Sequence, residues 1–371
     1  MRLIGPATVV SVAYLDPGNF GANIASGAKF GLGLLWVVWL SGALAVMYQY
    51  ISGVLGLESG RGLLDHVWAR LRPLRPAYAA ALLVVALSTD LAEFVGLIVA
   101  FELLLGVPVY LAAALGSLDV VLLLLLGDRG RAYFSAIGLL ASVVGVSFLL
   151  ELIMVKPDLA SVLYHSLVPT LDGGQALYAA SILGATVMPH AVLLHSHIVG
   201  GLDRRSHRLQ TLYNLGLASA VNASMQVMAA YALYGRDVDI STVPKVLEPL
   251  YGPLAGLAFS IALLSSGLAS SAVSVQAGAL VLERIFGRPV ARGSARLAFR
   301  LVNIIPTAAM LATGVDPLAV LVYSQVVLSM ALPAVLIPLV AYSKPYISRE
   351  LAAAAYAATA FVILIDVVTV L

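Results

Sequence analysis

Asp16-Pro17-Gly18-Asn19 sits inside an apolar run that extends from Leu3 to Ala28. About 20 apolar residues suffice to cross a bilayer. A carboxylate, a helix breaker and a glycine in the middle of such a run all cost stability. Lipid cannot satisfy a freed backbone carbonyl, so a broken helix survives only where it faces protein or a watery cavity. A second run, Ala176 to Gly200, is interrupted at Gly184-Ala185-Thr186-Val187-Met188-Pro189-His190. Two interrupted apolar segments in matching positions of two halves of a chain are the sequence sign of a transporter's binding site.

The remainder of the chain supports a membrane reading. Of 371 residues, 61% are hydrophobic and only 11% are charged, against about 25% charged in an ordinary soluble domain. No cysteine is present, which excludes disulfides, thiolate metal sites and iron–sulfur clusters. Nothing in this composition suggests a nucleic-acid partner. The first apolar run follows directly on Arg2 and lacks a small-residue cleavage site, so a true span is expected there.

Hydropathy predicts about eleven spans, over 3–28, 32–56, 77–102, 108–127, 132–155, 175–200, 211–234, 252–282, 294–313, 316–342 and 350–371. The joining segments are short, so a single all-α membrane domain over 1–371 is expected. Basic residues in short loops set orientation. With the N-terminus in the cytoplasm, that side collects Arg2, Arg61, Arg70, Arg72, Arg75, Arg129, Arg131, Arg204, Arg205, Arg208, Arg284, Arg288, Arg292, Arg296, Lys344 and Arg349, sixteen in all. The outer side receives four, Lys29, Lys156, Arg236 and Lys245, and Arg300 falls inside a span. This bias predicts a multi-pass cell-membrane protein whose C-terminus is outside. The two broken segments then start on opposite sides, five spans apart. That is the layout of two inverted five-helix repeats, over approximately 3–155 and 175–342, with a terminal helix at 350–371.

The breaks carry the chemistry. An ordinary N-cap would account for Asn19. It accounts poorly for Asp16, because a buried carboxylate needs a cation or proton partner. At the second break Pro189 cannot donate to the helix ladder, which frees a carbonyl near Ala185. Met188 adds a thioether there; in a membrane helix a methionine alone would read as packing. Carboxylate, amide oxygen, carbonyl and thioether form a mixed donor set suited to Mn²⁺, Fe²⁺ and softer divalent ions, whereas Mg²⁺ and Ca²⁺ prefer oxygen alone. Gln325 is a buried amide that either reaches the ion or packs.

Asp90 and Glu93 are three apart on one helical face, where both cannot be ionised cheaply. They read as a proton relay, or as a pair buried against a base such as Arg300. His190 and His197 share a face and His195 points elsewhere. The zinc-protease spacing is absent, so His190 and His195 read as proton carriers or as packing groups. Glu102, Asp119, Glu151 and Asp366 lie nearer predicted ends and are expected at the membrane interface. The serine-rich segment Ser260 to Gln276 reads as close-packing scaffold.

Taken together these residues resemble the Nramp family of divalent-metal transporters. Asp-Pro-Gly-Asn at 16–19 and Met-Pro-His at 188–190 are similar to that family's paired signatures, as are Asp90-Leu91-Ala92-Glu93-Phe94 and Ser324-Gln325-Val326-Val327-Leu328-Ser329. The resemblance covers essentially the whole chain. It implies a leucine-transporter-like fold working by alternating access. It implies metal binding by Asp16, Asn19, Met188 and the carbonyls of Ala13 and Ala185. It also implies proton co-transport through Asp90, Glu93 and His190, with Arg300 as a candidate helix-borne arginine. The expected activity is proton-coupled import of Mn²⁺ or Fe²⁺, extending to Cd²⁺ and Co²⁺, by a functional monomer with no cofactor and no enzymatic step. The alternatives are a magnesium carrier of the same kind, which Met188 opposes, and a sodium-coupled organic-solute carrier, which Asp16 opposes. A membrane metalloenzyme would need a ligand cluster away from the breaks.

Overall fold

A computed structural model of the chain describes residues 5–119 and 131–371, without the side chains of 131–137. The predicted start of the first span, the second half of the fourth, Arg2 and Arg129 lie outside the described residues, as does the side chain of Arg131.

The first span is broken as its sequence demands: α1 (Pro6–Ser11), a 3-10 turn (Val12–Leu15), then α2 (Pro17–Phe30). There follow α3 (Leu35–Ser59), α4 (Leu63–Arg70), α5 (Arg75–Leu105), α6 (Val109–Gly116), α7 (Arg131–Val155) and α8 (Leu159–Leu167). The second broken span is α9 (Ala176–Val187) and α10 (Pro189–Ile198). The chain continues with α11 (Arg204–Ala232), α12 (Val243–Tyr251), α13 (Pro253–Phe286), α14 (Arg292–Ala312), α15 (Pro317–Ser343) and α16 (Arg349–Val370).

Among the described residues eight helical segments are long and apolar enough to cross a membrane, with α9 and α10 counted together. The other three expected spans have physical reasons to fall outside that eight. The first is cut into short pieces. The fourth begins with α6 and runs into residues that are not described. The seventh, α11, is too polar. It also starts at Arg204 instead of the expected 211, because Asp203 caps it by accepting from Ser206 N at 2.9 Å. The small helices α4, α8 and α12 were not foreseen. They are too short to span.

Exposed apolar side chains line the outer flanks: Leu139, Val146 and Ile153 on α7, Leu301 and Ile305 on α14, Leu364 and Val368 on α16. A soluble surface would not carry such stripes; a lipid-facing one does. Inside, the most extensive pairings are α5 with α13, α9 with α15, and α2 with α11. One half of each broken span, α2 and α9, is therefore clamped by an unbroken helix. Phe20 of α2 packs edge-on against Phe148 of α7 and Phe259 of α13, with ring centroids 5.0 and 6.1 Å apart.

The α9–α15 contact runs backbone to backbone. A Cβ added at Gly184 would press on the Gln325 carbonyl and stand 2.6 Å from Ser329 N. Membrane helices lack a hydrophobic driving force between them and depend on such close approach. Gly184→Ala is therefore expected to push α9 off α15 and cost about 1–3 kcal/mol, as overpacking does. Thermal unfolding in detergent would register this as a lowered midpoint with reduced transport. An unchanged midpoint would show that the contact yields without cost.

Candidate functional site

Both breaks lie side by side in the protein interior. Asp16, Asn19, Met188 and Gln325 are all essentially inaccessible to solvent. The N-cap of α2 is Asp16, not Asn19: Asp16 Oδ1 accepts from Asn19 N at 2.8 Å, and Pro17 fills the first helical position. The same Oδ1 accepts from Asn19 Nδ2 at 2.7 Å. Its second oxygen, Oδ2, is buried with no hydrogen-bond partner. Capping thus accounts for one carboxylate oxygen and leaves the other unexplained.

Asn19 Nδ2 also donates to the Ala185 carbonyl at 2.9 Å, across 166 residues of sequence. Asn19 Oδ1 accepts from Thr186 Oγ1 at 3.2 Å. The freed carbonyl expected near Ala185 is therefore present, and a side-chain NH₂ holds it to the carboxylate of the other break. That NH₂ sits between two oxygens from the two broken helices, as a cation would. The Ala13 carbonyl stays within its turn, accepting from Asp16 N at 3.2 Å.

Met188 is the hinge of the second break, with φ 45° and ψ 96°. An unbranched residue in that region costs about 1–3 kcal/mol and persists only where its surroundings hold it. Gln325 of α15 reaches the first break from the side. Its Nε2 donates to Ser324 Oγ at 3.1 Å, while its Oε1 is buried without a partner. Gly18 allows this: a Cβ there would overlap the Gln325 amide and lie 2.9 Å from Asp16 Oδ2. Two unpartnered buried oxygens, Asp16 Oδ2 and Gln325 Oε1, thus flank one glycine beside the two breaks.

The site lies between two cavities. One, about 470 Å³, opens at the end where α2 finishes and is lined by Lys29, Tyr178, Arg236, Asp237, Asp316 and Tyr323. The other, about 300 Å³, lies where α10 finishes, beside His197, Gln276, Glu283 and Arg292.

The carboxylates of α5 lie beside this site without bonding to it: Gly96 of α5 packs on Pro17, and Glu93 faces Asp16 as a like charge. Asp90 and Glu93 are buried against α14, where Arg296 Nη1 donates to Asp90 Oδ1 at 2.8 Å and to Glu93 Oε2 at 2.7 Å. Arg300, the sequence candidate, lies 3.5 Å from Asp90 and 3.0 Å from Asp119. Arg296 was counted with the loop charges, but it belongs to the first turns of α14 and is buried. Asp119, Glu151 and Asp366, expected at the interface, are buried as well. Asp119 binds both arginines, and Ser329 Oγ donates to Asp366 at 2.6 Å.

The structure separates the two candidate histidines. His190 Nδ1 lies 3.3 Å from Thr89 Oγ1 on α5, on the carboxylate side, and lines a small cavity with Ser274. His195 faces the other way, donating through Nδ1 to Gln49 Oε1 at 2.8 Å. Gln49 Nε2 donates to Tyr14 OH at 2.9 Å, and Asn222 Nδ2 to the Tyr14 carbonyl at 3.0 Å. His195 therefore belongs to a polar chain that braces the first break. Sequence reasoning missed Gln49, Asn222 and Thr186. Their only signal was a buried amide or hydroxyl in an otherwise apolar run. Ser274, read as scaffold, instead donates to Glu93 Oε2 at 2.9 Å.

Two broken helices crossing at a buried, partly unpaired donor set, with a cavity at either end, define a multi-pass membrane transporter. The Nramp family model, "Natural resistance-associated macrophage protein-like", matches residues 7–371, and the chain belongs to that family. It is 37% identical over 361 residues to the "Divalent metal cation transporter MntH" of Deinococcus radiodurans, covering 92% of this chain and 82% of that one. To the protein of the same name in Yersinia pestis it is 35% identical over 359 residues, covering 92% and 86%. The crystal structure of the Eremococcus coleocola manganese transporter with an aromatic bis-isothiourea compound superposes with a TM-score of 0.87 at 26% identity, covering 98% of this chain and 85% of that one. An inward-facing structure of Mhp1 shares the fold, with a TM-score of 0.60 at 14% identity and coverage of 91% and 76%. The fold is the expected leucine-transporter-like one, and the protein is a transporter, not an enzyme.

Proposed function

We propose that the chain imports divalent transition-metal ions, Mn²⁺ or Fe²⁺ foremost, with protons, by alternating access in the cell membrane. The observation that carries the metal reading is the pair of unpartnered buried oxygens, Asp16 Oδ2 and Gln325 Oε1, beside Met188 at the meeting of both breaks. The transported ion would take Asp16, Asn19, Met188 and the carbonyls of Ala13 and Ala185, with Gln325 at its side. Asn19 would turn its amide so that oxygen, not nitrogen, meets the ion. The names of the relatives, divalent-metal and manganese transporters, support the same reading. A single membrane domain over 1–371 with inverted repeats at about 3–155 and 175–342, a cytoplasmic N-terminus and a monomeric working unit complete the proposal.

The direct test is uptake into proteoliposomes of Mn²⁺, Mg²⁺, Ca²⁺ and Cd²⁺ in parallel, with and without a pH gradient. Mn²⁺ and Cd²⁺ uptake that rises with an inward proton gradient is expected. Mg²⁺ uptake in preference to Mn²⁺ would assign the chain to the magnesium reading.

Protons would move through Asp90 and Glu93, with His190 on the metal side. An amide keeps the shape of a carboxylate and cannot change charge. Asp90→Asn is therefore expected to cut metal-driven acidification about tenfold, the effect of roughly 1.4 kcal/mol, while Mn²⁺ binding changes little. Wild-type acidification by this variant would assign the pair to structure.

A further inference from the structure

The buried ion cluster on α5 and α14 has an uneven charge count. It contains three carboxylates, Asp90, Glu93 and Asp119, and two guanidiniums, Arg296 and Arg300, none of them more than 3% exposed. Arg296 and Arg300 are four residues apart on one face of α14, so their charges repel. Asp119 lies between them. Its Oδ2 accepts from Arg296 Nε at 3.1 Å, from Arg296 Nη2, and from Arg300 Nη2 at 3.0 Å. Arg300 also stacks over the Phe94 ring, 4.1 Å from its centroid, and leaves Nε and Nη1 unpartnered.

Asp90 has both oxygens engaged, Oδ1 by Arg296 and Oδ2 by Asn303 Nδ2 at 2.8 Å. Glu93 is engaged on Oε2 alone, by Arg296 and Ser274, and its Oε1 is buried and free. No other charged side chain makes an ion pair with the cluster among the described residues; Asp16 at the first break faces Glu93 as a like charge without bonding to it, and it is unchanged in every variant below. His190 of α10 approaches it through Thr89.

Three negative and two positive charges leave a surplus of one negative charge in a medium where an uncompensated charge is costly. One bound proton restores neutrality. Without Asp119 the two arginines would balance Asp90 and Glu93 fully, and no proton would be needed. We infer that Asp119 sets the proton capacity of the Asp90–Glu93 pair: it takes up the charge of Arg300, leaves that pair to share Arg296, and so obliges the cluster to hold one proton. Asp119 is a positioning residue, acting through its neighbours. This rests on the proton-coupled reading above and adds a specific charge count to it.

The test uses charge-restoring substitutions. Asp119→Asn leaves two carboxylates and two arginines, with no surplus. Arg300→Met leaves three against one and raises the surplus. The double variant returns to a surplus of one. Proton entry per Mn²⁺ should fall about tenfold in Asp119→Asn, a loss corresponding to roughly 1.4 kcal/mol, and recover to at least half of wild type in the double variant. Mn²⁺ binding to the purified variants should stay within about twofold, since the metal ligands are untouched.

Infrared difference spectra of the same proteins read the bound proton without transport. The protonated-carboxyl band should weaken in Asp119→Asn, strengthen in Arg300→Met and return in the double variant. If Asp119→Asn does not fold, Arg300→Met still reads the count in the opposite direction. A double variant no better than Asp119→Asn, or spectra indifferent to the count, would overturn the assignment to Asp119. Wild-type protein that moves Mn²⁺ without protons, yet shows the expected infrared series, would overturn the coupling reading and leave the charge count standing.

Discussion

Asp16→Ala should lose metal uptake almost completely while the helical bundle still assembles. One carboxylate oxygen caps α2, and the other is the buried, unpartnered Oδ2. Loss of a cap costs about 1 kcal/mol. Removal of the only side-chain charge at the breaks is far more costly to a divalent ion, because breaking a buried ion pair costs about 3–5 kcal/mol. At about 1.4 kcal/mol per decade, that is a hundredfold or greater loss of affinity. Asp16→Asn separates the two roles, since its amide oxygen can still cap but carries no charge. Both variants should fail in Mn²⁺ uptake, and only the alanine variant should lower the unfolding midpoint noticeably. Normal Mn²⁺ uptake by Asp16→Asn would mean that the ion binds elsewhere.

Met188→Ala should change which ions compete more than how well Mn²⁺ is carried. A thioether serves soft and borderline ions and offers little to Ca²⁺ or Mg²⁺, which would exchange a water oxygen for a poor ligand. Specificity is a difference of affinities, so a poor ligand for the abundant hard ions acts as a filter against them. Alanine leaves room for water. Mn²⁺ accepts a water oxygen, so its uptake should fall only severalfold, within about 1 kcal/mol. Cd²⁺ should lose more, and Ca²⁺ should become an effective inhibitor. The backbone adds a second consequence, because alanine must also adopt φ 45° at this position. The measurement is Mn²⁺ uptake against rising Ca²⁺ for both proteins. Equal inhibition by Ca²⁺ would reduce Met188 to packing.

The two breaks were legible because Asp16-Pro17-Gly18 and Met188-Pro189 each put a helix breaker and an unusual side chain inside an apolar run. The same legibility explains why the residues at the breaks could be named in advance as candidate donors, while their connections could not. That Asn19 ties Asp16 to Ala185 depends on tertiary contact across 166 residues. Arg296 was hidden for a different reason. It sits four residues after Arg292 at the start of a helix, where a buried arginine and a loop arginine look alike in sequence. Asp119 was hidden because its partners, Arg296 and Arg300, lie 177 and 181 residues later in the chain. Gln49 and Asn222 were hidden because a single neutral amide in an apolar helix leaves no periodic trace.

The polarity of α11 has a consequence for how the protein is made. His207, Gln210, Asn222 and Gln226 are all buried on this helix, mostly against α2 and α3. A segment of that composition gains too little by entering lipid alone, because each polar side chain subtracts from the transfer free energy of its apolar neighbours. Its place in the bilayer depends on surfaces that earlier parts of the chain have already presented. During synthesis α2 and α3 must therefore wait in the membrane, or at the insertion machinery, until the seventh span emerges beside them. The first break is covered on one side only when that span arrives, and on another only later still, when α15 brings Gln325 against Gly18.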